Sequence, residues 1–198
     1  MIFTNCRVSA LLGLAVLLAA CGSTPSNTYY VLTPREDVAP TGRSPTLGVG
    51  PVEIAEYLNR NGLVYHRDGN RLQIAQYERW AEPLQDGVTR VLRLNLAALL
   101  NTGDVRPFPW HSEHHPDFAV RVNILALDAH DTRATLEAEW LLLQPDAGNV
   151  VRRSISRFDY RTQAEALSPE QLPAAYSDLL YQLSEEIAGA IRTAATGA

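Results

Sequence analysis

Between Phe118 and Tyr160 the chain offers three strand-length runs in sequence, two of them alternating apolar and polar, and this succession restricts the fold more than any other feature. Phe118, Val120, Val122 and Ile124 alternate with Arg121 and Asn123, and Leu136, Ala138, Trp140 and Leu142 alternate with Glu137 and Glu139. A period of two sends successive side chains to opposite faces of a strand. The spans Phe118 to Leu127, Ala134 to Leu143 and Val150 to Tyr160 are joined by Asp128-Ala129-His130-Asp131-Thr132 and Pro145-Asp146-Ala147-Gly148-Asn149. The spacing predicts an antiparallel meander with one dry face and one partly charged face. A dry face needs a cover, and Leu172, Tyr176, Leu179, Leu180, Leu183, Ile187 and Ile191 supply one at a helical period. Ser168-Pro169-Glu170-Gln171 resembles a capping box, and the regular helix is expected to start near Gln171, which leaves Pro173 in its first turn.

The N-terminal half is less regular. Tyr29-Tyr30-Val31-Leu32 is a short strand signal, and Leu47 to Val52 is a second, with Gly48 and Gly50 marking a close approach by another backbone or a helix. Ile54, Tyr57 and Leu58 fit one helical turn. Leu63 to His66 and Leu72 to Ala75 flank Asp68-Gly69, a hairpin tip. Arg79 to Leu84 leads into a helix with Pro83 in its first turn and a stripe of Leu84, Val88, Val91, Leu92, Asn95, Leu96 and Leu99. Asn101 with Gly103 ends it, and a short strand is expected near Val105. The expected fold is mixed α/β, with a largely antiparallel sheet, a C-terminal meander and two long amphipathic flanking helices. It forms one globular domain over residues 29–196.

Arg7 precedes an apolar segment from Val8 to Leu18, and Leu18-Ala19-Ala20-Cys21 closes it. The segment is too short for a transmembrane helix, which needs about 20 residues. The run has the form of a lipobox. Residues 1–20 would be a signal peptide and Cys21 the acylated N-terminus, carrying a covalent diacylglycerol and an N-acyl chain. Three chains would hold firmly, since each buried methylene contributes ~0.8 kcal/mol. Gly22 rather than Asp follows the cysteine, which points to the periplasmic face of the outer membrane. Residues 21–28 read as a flexible tether of Gly, Ser, Thr, Pro and Asn that lets the domain stand off the membrane.

Cys6 lies in the discarded segment, so the mature chain has no thiol for a disulfide or a Cys metal site. All 22 acidic residues but only 16 of the 17 arginines follow Cys21, an acidic balance that argues against nucleic acid as a partner. His111, His114 and His115, with Glu113 and Asp117 nearby, have a spacing seen in zinc sites, but nothing fixes a tetrahedron, and a solvent- or partner-facing loop is expected. Glu137 and Glu139 share a strand face, where cross-strand pairing with Arg121, Arg153 or Arg157 is the expectation over acid/base chemistry. Ser154 and Ser156 lie among arginines with no evident base, and the usual hydrolase, nucleotide and metalloprotease motifs are absent. The chain reads as a non-enzyme without metal or cofactor. Tyr57, Leu58, Trp80 and Trp110, near element ends or loops, form a candidate apolar contact surface.

Several segments together resemble one family. They are the lipobox at Cys21, Tyr29 to Leu32, Val49-Gly50-Pro51-Val52-Glu53-Ile54-Ala55-Glu56-Tyr57-Leu58-Asn59-Arg60, Arg79-Trp80-Ala81-Glu82-Pro83-Leu84, and Arg90-Val91-Leu92 with Asn95-Leu96. The chain resembles the PqiC-type lipoproteins, the auxiliary component of ABC-type transport systems. It departs from them at Ala55-Glu56, where relatives often carry a proline. The resemblance implies a fold similar to the N-terminal domain of TolB and a lipoprotein at the outer membrane. It also implies an MCE-domain inner-membrane partner with ABC and permease subunits, a homo-oligomeric ring, and transport of lipids or organic solvents. Docking is expected through Tyr57, Leu58, Asn59, Arg60 and Trp80. Two rivals are a stand-alone structural envelope lipoprotein and a surface-tethered hydrolase.

Overall fold

The computed structural model describes residues 26–35, 39–110 and 115–197. Cys21, His111 and His114 lie outside that range. The strands are β1 (Thr28–Tyr30), β2 (Leu47–Ile54), β3 (Gly62–Asp68), β4 (Arg71–Trp80), β5 (Val105–Pro107), β6 (Phe118–His130), β7 (Arg133–Gln144) and β8 (Asn149–Arg161). The long helices are α1 (Leu84–Leu100) and α2 (Leu172–Thr196). A 3₁₀ turn at Glu56–Leu58 joins β2 to β3.

The meander and its cover form as their periods dictate. β6, β7 and β8 pair antiparallel, and Leu136, Ala138, Trp140 and Leu142 are fully buried beneath α2, whose seven stripe residues are buried as well. A bulge between Ile124 and Ala126 shifts the buried parity of β6 from Val120, Val122 and Ile124 to Leu127 and Ala129. The first meander turn is tighter than the sequence suggested. Only Asp131 and Thr132 separate β6 from β7, with Asp131 at φ 51°. On the open face Arg157 bonds Glu137 at 2.8 Å and Arg153 bonds Glu139 at 3.2 Å. Those carboxylates are therefore held as ion pairs.

Ser168 and Gln171 form the capping box of a 3₁₀ turn that feeds α2, with Pro173 in its first turn. Asn101 adopts the left-handed conformation that ends α1. Pro83 is the residue before α1 rather than its first member, because β4 runs on to Trp80. Gly48 and Gly50 do face a close approach, by a loop rather than a helix. A Cβ at Gly48 would meet the Trp110 ring at 2.8 Å, and one at Gly50 would meet Phe108 Cβ at 2.7 Å. Ala55 holds φ −57° without a proline ring.

The sheet is not single. β5, β2, β6, β7 and β8 form one sheet in that order, parallel from β5 to β6 and antiparallel beyond; β1, β4 and β3 form a second. β3 lies against β6, and the buried side chains of both sheets and both helices make one continuous cluster.

Candidate functional site

Three of the segments that carry the family resemblance, Tyr29 to Leu32, Arg79 to Leu84 and Arg90 to Leu96, come together in space. Tyr30 pairs in parallel register with Trp80, and its carbonyl accepts the Ala81 N–H at 2.8 Å. Arg90 on α1 donates to the Leu32 carbonyl at 2.8 Å and also holds Glu82. Asn95, fully buried, accepts the Arg35 N–H at 3.1 Å. From α2, Ser177 Oγ accepts the Thr33 N–H at 3.1 Å, and Asp178 pairs with Arg35, whose guanidinium also lies 4.8 Å from the centre of the Tyr181 ring. Residues 30–35 are thus stitched to a strand and two helices. Only Leu32 of residues 31–35 is buried, and these side chains take up the backbone groups around it that no strand pairs. Their signal in the sequence was polar residues in apolar stripes, Asn95 in one helix and Ser177 beside Tyr176 in the other.

The five residues expected to dock a partner separate into two kinds. Leu58 is 2% exposed and Trp80 7%, both within the core. Trp80 stacks on Tyr176 at 6.4 Å between ring centres, and Tyr176 donates to the Val64 carbonyl at 3.3 Å, so this pair fastens α2 to the three-stranded sheet. Leu58 is enclosed beside the sheet junction, while Trp80 is nearly so and shows only one edge, to a surface cleft. Tyr57 is half-buried. Its hydroxyl donates to Asp128 at 2.7 Å and accepts the Leu127 N–H at 3.3 Å, while His66 Nδ1 lies 3.5 Å from the same Asp128 oxygen. Burial and the Asp128 carboxylate push the Tyr57 hydroxyl well above the usual phenol range, so it stays protonated and ties the turn between β2 and β3 to β6.

Tyr57→Phe is expected to lower stability by about 1 kcal/mol, the net worth of a hydrogen bond at a half-buried position. The urea midpoint should fall with an unchanged m-value, and no shift would show that the bond holds nothing. Asn59 and Arg60, by contrast, are exposed at the base of the hairpin, with Arg60 reaching only the Asn59 carbonyl and Glu56. Beside them lies a cleft lined by Asn27, Tyr29, Asn61, Arg79, Glu82 and Pro83. Exposed side chains next to the entry of the tether are the surface this region offers.

The remaining candidates carry structure. Ser156 donates to Glu186 at 2.8 Å and accepts from the Trp140 indole at 3.0 Å, which pins α2 to the meander. Trp110 is half-buried over Gly48 and meets Phe108 edge to face at 5.3 Å. His115 is exposed. Among the described residues no group of three or more His, Cys, Asp or Glu side chains is placed to hold a metal, and no helix is long and apolar enough to cross a membrane.

Comparison with known proteins agrees with this arrangement. Residues 30–188 match the model of the family described as ABC-type transport auxiliary lipoprotein component. The chain is 27% identical over 157 residues to the intermembrane transport lipoprotein PqiC of Escherichia coli, covering 75% of this chain and 80% of that protein, and matches the Shigella flexneri PqiC equally. Among solved structures, an uncharacterised protein superposes with a TM-score of 0.67 at 22% identity, over 84% of this chain and 99% of its own. A Xanthomonas campestris protein does so with 0.66 at 18%, over 82% and 93%. A fold shared with these structures and a family match spanning both sheets and both helices lead to one conclusion: the chain belongs to the family of auxiliary lipoprotein components of ABC-type transport systems.

Proposed function

We propose that the chain is an outer-membrane-anchored periplasmic lipoprotein that serves as accessory subunit of an MCE-type ABC system moving lipids or organic solvents. The observation that carries this reading is the family match over residues 30–188, to which the similarity to PqiC, named an intermembrane transport lipoprotein, adds the envelope setting. Cys21 followed by Gly22 supports the outer-membrane address. The protein acts by binding and assembly, without metal, cofactor or catalytic residue, as a ring of identical copies that meets the MCE-domain inner-membrane protein. The docking surface is the exposed Asn59-Arg60 turn, held in place from below by the buried Leu58.

Substituting Asn59→Asp together with Arg60→Glu tests the surface. Exposed substitutions away from special features change stability by about 0.5 kcal/mol or less, so the melting temperature should hold. Recovery of the MCE-domain protein with the tagged chain from detergent-solubilised envelopes should fall. Undiminished recovery would remove this turn from the interface.

A further inference from the structure

β1 and β4 run parallel, with Thr28 opposite Glu78 and Tyr30 opposite Trp80. The chain therefore enters β1 from the side on which β4 begins, which is the tip of the β3–β4 hairpin. Seven residues separate Cys21 from Thr28, and seven separate Arg71 at the tip from Glu78. In any conformation the tether spans at most about 25 Å, and a Gly- and Ser-rich chain of this length averages about 15 Å end to end. The hairpin reaches about 23 Å beyond Thr28 in the same direction. At that average span, a domain standing with its strands upright on the surface that holds Cys21 brings its hairpin tip down onto it.

The tip is built for such a surface. Arg67 and Arg71 flank the turn, against the single carboxylate of Asp68, in a chain whose acidic residues outnumber its basic ones. Behind the tip Leu72 is 39% and Ile74 53% exposed. An isolated apolar side chain at the surface is ordinary. Two of them behind a pair of arginines, at the reach of the tether, match an anionic phospholipid leaflet, with guanidinium groups at the phosphates and apolar side chains in the interface. We infer that the β3–β4 hairpin is a second membrane contact, resting tip-first on the leaflet that holds Cys21 and directing the Asn59-Arg60 turn at the hairpin base away from it. This inference rests on the lipid anchor of the proposed function. It limits the stand-off expected from the tether, because the tether's average span is shorter than the hairpin's reach.

The test uses the full-length lipidated chain in vesicles of phosphatidylethanolamine and phosphatidylglycerol. The mature chain has no free thiol if Cys21 is acylated, so Asn70→Cys at the tip and Asn59→Cys at the base each accept one environment-sensitive fluorophore. Mass spectrometry of the N-terminal peptide is read in parallel. The expected result is a blue-shifted emission and reduced quenching by aqueous iodide at position 70, with neither change at position 59. If acylation is present but neither position responds, or both respond alike, the hairpin contact is wrong and the anchor stands. If Cys21 carries no acyl chain, the anchor reading fails and the hairpin proposal with it.

Discussion

Replacing Cys21 with alanine behind an ordinary cleavable secretory signal is expected to move the protein almost entirely from the membrane pellet to the soluble fraction while leaving its circular dichroism spectrum unchanged. Three acyl chains bury dozens of methylenes at ~0.8 kcal/mol each, an effectively permanent hold, whereas a single chain binds only marginally. Among the described residues no helix substitutes for that hold. The hairpin tip offers two apolar side chains and two arginines, enough to orient an anchored domain and too little to retain a free one. The domain itself should fold, since its ordered contacts begin at β1, beyond the cysteine. A Cys21→Ala protein that still pellets with membranes would mean that the anchor lies elsewhere.

The second large effect is on stability. Trp80→Ala is expected to cost about 3–5 kcal/mol, the range for deleting a buried aromatic side chain, and Leu58→Ala about 2–5 kcal/mol. Against a typical total of about 5–15 kcal/mol, either loss is severe. It should lower the melting temperature by about 2–4 °C per kcal/mol for a domain of this size. Trp80 closes the contact between the three-stranded sheet and α2 through Tyr176. Any loss of partner binding in these two variants would then follow from loss of fold. Differential scanning fluorimetry decides the matter, and an unchanged melting temperature would return both residues to the surface.

The elements read most accurately from the sequence are those whose periods run unbroken. β7 and α2 carry their periods through most of their length, and β6 does so up to its bulge after Ile124, so local pattern and tertiary burial agree there. The division into two sheets was not legible. It depends on β1 pairing in parallel with β4 some 50 residues later, a long-range choice that no local period encodes. β4 was read short because Glu78-Arg79 breaks the alternation and Pro83 signals a helix start. Leu58 and Trp80 were read as contact residues because large side chains at element ends look exposed in a linear sequence; here the ends meet at a sheet junction that covers them.

The tether entry was legible only in pieces. Arg90 and Asn95 were noted as parts of a family pattern, but their partners, the backbone of Leu32 and Arg35, lie about 60 residues away. Once folded, those pieces explain one another. Residues 30–35, which follow the expected tether, are clamped onto a strand and two helices, as the proposed role of a tethered, docking subunit would require.

The central claim is that this tethered domain serves a transport assembly by binding. The most direct measurement is affinity isolation of the full-length tagged chain from detergent-solubilised envelopes, with identification of every co-purifying protein. An MCE-domain inner-membrane protein, with its ABC and permease subunits, should be recovered in stable proportion to the chain. Recovery of the intact, acylated chain with no such protein, under conditions that preserve other envelope complexes, would contradict the account.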